Sequence, residues 1–213
     1  MNFLKLRYIG GSVTGKVSEA SHVIGLDLSR TVKLLEAIAL GKFVVSPAWV
    51  LHSYKQGHFL DAIDYFIKDH DNEQFFGYNV KLSVVKARQK RLFENMLFYL
   101  TPSVQPSKAV LHRLINAAGG KVLAEKPLCS KVADCIERDI PLAVIGCEND
   151  AHLCQSLVEC GIPIFLVEFI MTGILRQEID NLAYRLDAHK VNNAANSMPM
   201  VQPHAMIHPN MIR

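Results

Sequence analysis

Apolar and polar positions alternate along the chain in short blocks, each bounded by Gly, Pro or a capping residue. Phe3, Leu4, Leu6 and Ile9, with cations between them, run into Gly10-Gly11, which predicts a helix with a glycine stop. A short strand, Ser12-Val13-Thr14, is expected next, and His22-Val23-Ile24 reads as another. Val32, Leu34, Leu35, Ile38 and Ala39 recur at helical spacing between Ser29, a candidate N-cap, and Gly41, so this helix has both ends marked. Residues 42–46 form a β-branched strand, and residues 47–54 open on Pro and are followed by Gly57, as a helix requires. Strand and helix in such close alternation argue a parallel sheet with helices on both faces.

Residues 69–77 are polar and end in Gly, while 78–95 read as a connecting helix carrying Lys81, Lys86, Arg88, Lys90 and Arg91. From Leu97 the pattern starts again, with a strand at 98–100, a helix at 108–118 and a strand at 142–146. A helix at 151–159, a strand at 163–166 and a helix at 168–176 complete it. Gly119-Gly120-Lys121-Val122 repeats Gly10-Gly11-Ser12-Val13, so the two halves are one unit written twice. The expectation is an α/β fold of two tandem units, 1–68 and 96–186, joined by a linker with a helix at 69–95. Residues 187–213 lack periodicity and are expected to form a disordered tail.

Composition narrows the function classes. With 213 residues, 50% hydrophobic, the chain can build substantial cores, and a net charge of +3 is too thin a field to argue for nucleic acid by itself. The cations of 78–95 read as a solvated helix face, so any DNA contact is expected to be indirect or weak. Lys5 and Arg7 break the first apolar run, which spoils a secretory signal, and no later run is long enough to span a bilayer; no membrane partner is implied and an intracellular protein is expected. Cys129, Cys135, Cys147, Cys154 and Cys160 lack CxxC pairing and are expected as reduced thiols. A metal site from Cys147, His152, Cys154 and Cys160 can be drawn but has no paired-ligand spacing, so neither metal nor cofactor is implied.

Gly10 to Lys16 satisfies most of the phosphate-loop pattern GxxxxGK[ST]. Val17 fails its last position, having no hydroxyl for magnesium, and the segment leads to a strand rather than a helix. The histidines sit singly, without a nucleophile and acid in one frame, so a non-enzyme is favoured.

Gly-Gly followed by an apolar residue, the strand Ser21-His22-Val23-Ile24, the helix start Arg30-Thr31-Val32-Lys33, the strand Phe43-Val44-Val45-Ser46 and Pro47-Ala48-Trp49 together resemble a BRCT domain, and the second half repeats the scheme with Phe169 at the tryptophan position. Thr31 to Leu34, Tyr99-Leu100-Thr101-Pro102, the stretch from Cys147 to Cys154 and Phe169-Ile170-Met171-Thr172-Gly173 most resemble the C-terminal BRCT pair of the PAX-interacting protein family, and after it the mediator of DNA damage checkpoint proteins.

That resemblance implies a phosphoserine-peptide-binding module of a nuclear DNA-damage scaffold, reading a phosphorylated protein or histone tail, as part of a larger protein or assembly. It places Lys33 and Thr31 at the phosphate, Arg30 at the peptide main chain or terminal carboxylate, and Pro102, Met171 and Thr172 around the third residue after the phosphoserine. A helix N-terminus with a cation in its first turn suits a dianionic phosphate, and the Arg fork suits a carboxylate. The chain departs from the family at one place. Residues 3–9 align with the helix that follows the family's first strand, so that strand and its Ser/Thr-Gly, which supplies the other half of the phosphate grip, are expected to be missing from the first unit. Truncation, a strand supplied by a partner, and recruitment of residues 4–9 as a strand are the three explanations; truncation implies weak or no phosphopeptide binding, and the alternative function is a scaffold without phosphate binding because the Ser/Thr-Gly half of the pocket is missing.

Overall fold

The computed structural model describes residues 3–186, so the expected tail at 187–213 lies outside the described residues. The first half comprises α1 (Phe3–Tyr8), β1 (His22–Ile24), α2 (Val32–Ala39), β2 (Phe43–Val45) and α3 (Pro47–Gln56). Gly10, at φ 86°, adopts the left-handed conformation that lets its N–H reach Arg7 O at 3.0 Å and the Gly11 N–H reach Leu6 O at 2.9 Å, closing α1. β1 and β2 pair in parallel, His22 opposite Phe43 and Ile24 opposite Val45. Among the described residues these two strands are the whole first sheet. Residues 4–8 are helical, which overturns their recruitment as a strand, and Ser12-Val13-Thr14 is irregular rather than the strand expected there.

Two helices follow, α4 (His70–Phe76) and α5 (Val80–Gln89). The second half contains β3 (Leu97–Leu100), α6 (Lys108–Ala117), β4 (Lys121–Val122), α7 (Cys129–Glu137), β5 (Leu142–Ile145), α8 (Ala151–Glu159), β6 (Ile164–Phe165) and α9 (Glu168–Arg176). Its sheet has four parallel strands in the order β4-β3-β5-β6. The expected linker helix is shorter than 78–95, because Asn79 caps its start and the chain turns after Gln89. Polar residues 69–77 form α4, with Asp69 accepting from Asn72 N–H at 3.2 Å and Gly77 closing the end.

The halves are packed into each other. Leu34, Leu35 and Ile38 of α2 share one apolar cluster with Val84 of α5, Leu114 of α6, and Ile170 and Ile174 of α9. Each such buried side chain contributes on the order of 2 kcal/mol of apolar burial. Polar contacts fix the orientation: Arg113 Nε meets the buried Glu36 carboxylate at 3.2 Å, and Ser83 Oγ donates to Leu175 O at 2.5 Å.

Cys129 of α7 and Cys160 after α8 form a disulfide across 31 positions, while Cys135, Cys147 and Cys154 are free. The expectation of reduced thiols is therefore corrected for one pair, which the missing CxxC could not reveal because the fold, not the sequence, makes the two neighbours. Cys160, engaged in that bond, is removed from the metal set drawn with Cys147, His152 and Cys154, and among the described residues no cluster of three or more metal-ligating side chains is found.

Candidate functional site

The start of α2 organises the site. Thr31, extended at φ −87° and ψ 157°, is the N-cap, and its Oγ1 accepts from Leu34 N–H at 3.2 Å. Ser29, the expected cap, instead donates its N–H to Asp27 Oδ1 at 2.9 Å, in a turn before the helix. The helix thus begins two residues later than expected: Lys33 is in its first turn and Arg30 precedes the cap. The Thr31 oxygen is engaged as an acceptor, and its O–H remains free to donate.

The two cations are in different situations. Arg30 is half-buried and forked onto Glu168 of α9, Nη1 to Oε2 at 2.5 Å and Nη2 to Oε1 at 3.1 Å. Its guanidinium also lies 4.9 Å from the centroid of the Phe76 ring. Lys33 is exposed and makes no hydrogen bond or ion pair among the described residues. It borders a cleft of about 550 Å³ that runs along the whole of β1, from Ser21 to Ile24, to the loop from Gly10 to Lys16.

Of the remaining expected residues, Thr172 joins the Arg30 group, its buried Oγ1 donating to Glu168 Oε2 at 3.1 Å. Met171, its neighbour on α9, is half-buried against the shared apolar cluster. Pro102 is exposed in the turn after β3, in a different neighbourhood, beside the start of α8. Glu168 and Phe76, which position Arg30, give no signal in the sequence, since Glu168 lies 138 residues from Arg30 and neither carries a motif.

The second unit has the same place in its fold, already filled. Asp150, buried ahead of α8, accepts the Ser103 N–H at 2.6 Å, so the turn after β3 offers a backbone donor to an anion at a helix start. Burial raises the affinity of its carboxyl for the proton, but the Thr101 hydroxyl and the Ser103 N–H beside it outweigh that and hold it below its ordinary value. In the first unit no strand takes the place that β3 has in the second among the described residues, and Lys33 borders the cleft along β1 together with the loop from Gly10 to Lys16.

The phosphate-loop reading fails on geometry. Residues 17–19 make a single 3-10 turn, and Lys16 Nζ binds Glu19 Oε1 at 2.9 Å instead of facing an open helix start.

A BRCT domain family model matches residues 91–184, and the model for the BRCT domain of regulator of Ty1 transposition protein 107 matches residues 2–67. PAX-interacting protein 1 of Mus musculus is 34% identical over 185 residues, 86% of this chain and 18% of that protein. Mediator of DNA damage checkpoint protein 1 of Homo sapiens is 34% identical over 178 residues, 84% of this chain and 8% of that protein. The chain thus spans less than a fifth of these two relatives. Among solved structures, the BRCT5-BRCT6 domains of S. pombe Brc1 superpose with a TM-score of 0.71 at 24% identity, covering 84% of this chain and 89% of that one. The complex of Rtt107p with a phosphorylated histone gives 0.62 at 16% identity, covering 88% and 87%. Two family models end to end, relatives that match across both halves, and a sheet order repeated in full in one half and in part in the other lead to one conclusion: the chain belongs to the BRCT family, as two BRCT domains in tandem.

Proposed function

We propose that the chain is a phosphoserine-peptide-binding module of a nuclear DNA-damage-response scaffold, and an interaction module rather than an enzyme. The observation that carries this is Lys33: a cation without a partner among the described residues, in the first turn of a capped helix and open to a cleft. A phosphoserine dianion placed there meets the Lys33 ammonium, the Thr31 O–H and the positive end of α2. Arg30 uses two of its five N–H donors on Glu168, and the other three remain for a peptide carbonyl or terminal carboxylate. Met171 and Thr172, on α9 beside Arg30, are assigned to the far end of the peptide, while Pro102 lies in a different neighbourhood, in the turn after β3. The relatives named for DNA damage checkpoint mediation and the Rtt107p complex with a phosphorylated histone support a phosphorylated histone tail as the partner and the nucleus as the place.

A specific observation favours a second reading, a protein-interaction scaffold without phosphate selectivity. The turn that would supply the backbone half of the phosphate grip, as Ser103 does for Asp150, is missing from the first unit among the described residues. Calorimetry with phosphorylated and unphosphorylated histone-tail peptides separates the two. Phosphate-dependent binding that weakens about tenfold or more in Lys33→Ala supports the first reading. Equal binding of both peptides supports the second.

A further inference from the structure

The cations of the linker do not share one solvated face. Lys86, within α5, is paired with Glu178 at 2.8 Å. α5 ends at Gln89, and Lys90, extended at φ −150° and ψ 135°, turns the chain away from the helix. Arg88, Lys90 and Arg91 thereby line one cleft with Lys42 of the first unit, a space of about 590 Å³ at the end of α2. The side chains of Arg88, Lys90 and Arg91 make no hydrogen bond or ion pair among the described residues. Lys42 Nζ donates to Ser18 O at 3.3 Å, a neutral partner that leaves its charge unopposed. Glu94 is the one acid on the lining among the described residues.

Two of these cations are seated rather than loose. The Arg88 guanidinium lies 4.2 Å from the centroid of the Phe43 ring, and its stem packs over Gly41, where a Cβ would come within 2.6 Å of Arg88 Cγ. The Arg91 stem packs over Gly119 in the same way, its Cβ 2.8 Å from where a side chain on that glycine would begin. The ends of the neighbouring helices do not account for this much charge. The C-terminal ends of α2 and α5 each carry roughly half a negative charge, about one together, against four cations and a single acid. The excess field reaches His22 on the same lining, whose imidazole is held below its ordinary value by burial and by the Arg88 charge.

The four basic side chains offer donors and no acceptor, so the ligand that suits them is dense in negative charge and in acceptor oxygens. One carboxylate neutralises only part of the excess, whereas adjacent phosphates match it in a small volume. We infer that this cleft binds an anion of adjacent phosphate groups, of the kind found in an oligophosphate or along a nucleic-acid backbone. Arg88 and Arg91 supply positioned N–H forks, and Lys42 and Lys90 supply further point charges. The site is separate from the start of α2. Lys33 is in the first turn of that eight-residue helix and Gly41 lies past its last, so about 12 Å of helix stands between them. Neither Thr31 nor Arg30 takes part, and no phosphopeptide is needed.

Calorimetry on the 213-residue chain tests it with tripolyphosphate, a short DNA duplex and polyglutamate as probes. Saturable binding of tripolyphosphate is expected, weakened about tenfold or more in the double variant Arg88→Ala, Arg91→Ala and unchanged in Lys33→Ala. Lys90→Glu, at an exposed position, is expected to weaken binding as well, which separates loss of the site from loss of the fold. The His22 ring resonances should move during the titration, because the ring lies in the field of Arg88. Duplex binding that falls in the same variants identifies a nucleic-acid backbone as the source of the phosphates, and tripolyphosphate binding without duplex binding identifies a free oligophosphate. No saturable binding of either phosphate probe, loss of binding in Lys33→Ala but not in Lys90→Glu, or equally tight binding of polyglutamate overturns the inference.

Discussion

β1 and β5 are the same strand in two copies of one fold, and their surroundings differ by a single neighbour. β5 is enclosed, and the helix start beside it holds an internal anion, Asp150, bonded to the turn that leaves β3. β1 is open on one edge, and the helix start beside it holds an uncompensated cation, Lys33. One strand therefore fixes two properties together, the burial of the sheet centre and the completeness of the anion cradle. The second unit fills its own cradle with Asp150, whereas in the first unit Lys33 has no such partner among the described residues.

The strongest consequence falls on the two strands themselves. Ile145→Ala, at a fully buried position, is expected to cost about 3–4 kcal/mol in urea unfolding, and Ile24→Ala, on the open strand, about 1 kcal/mol. Equal losses would mean that the missing neighbour leaves the sheet centre no weaker. The joint between the units comes next. Arg30→Ala and Glu168→Gln are each expected to cost about 1–2 kcal/mol, and the double variant less than their sum, because each removes one bidentate pair.

Asp150→Asn is a smaller change with a defined pH dependence. The carboxyl of Asp150 is held below its ordinary value in the folded state, so its contribution is present at neutral pH and is lost as pH falls through that lowered value. The variant is expected to be about 1 kcal/mol less stable at neutral pH and to match the parent chain in acid, as read by unfolding across a pH series. Lys33→Ala and Lys16→Ala should both leave stability within error, since both side chains are exposed. They should differ in ligand binding: Lys33→Ala loses phosphopeptide, whereas Lys16→Ala, whose ammonium is already paired with Glu19, does not.

How much of this is legible in the sequence follows from where the determinants lie. α8 and α9 can be read at their observed bounds because apolar periodicity and a following Gly or basic last turn are local signals. α4 escapes such a reading because it buries no residue and so carries no apolar period; Asp69 and Gly77 make it by capping. α7 escapes it too, although Val132 and Cys135 face inward, because no capping side chain marks its start and no glycine its end. Ser12-Val13-Thr14 has the sequence of a strand and the same Gly-Gly lead as β4, yet a strand exists only with a partner, and β3 has no counterpart in the first unit among the described residues. In the site, the start of α2 and the exposed Lys33 are readable to within two residues. The engagement of Arg30 by Glu168 and Thr172 is not, because it depends on how α2 and α9 pack.

Whether the first unit holds half of a phosphate site that one strand completes can be measured directly. The measurement is calorimetry of a phosphorylated histone-tail peptide against this chain, and against the same chain with residues 97–101 copied and linked ahead of Phe3. Weak phosphate-dependent binding is expected for the chain alone, about tenfold or more tighter binding once the strand is added, and loss of both in Lys33→Ala. Equal affinity with and without the added strand, or binding that ignores the phosphate, would refute the half-site.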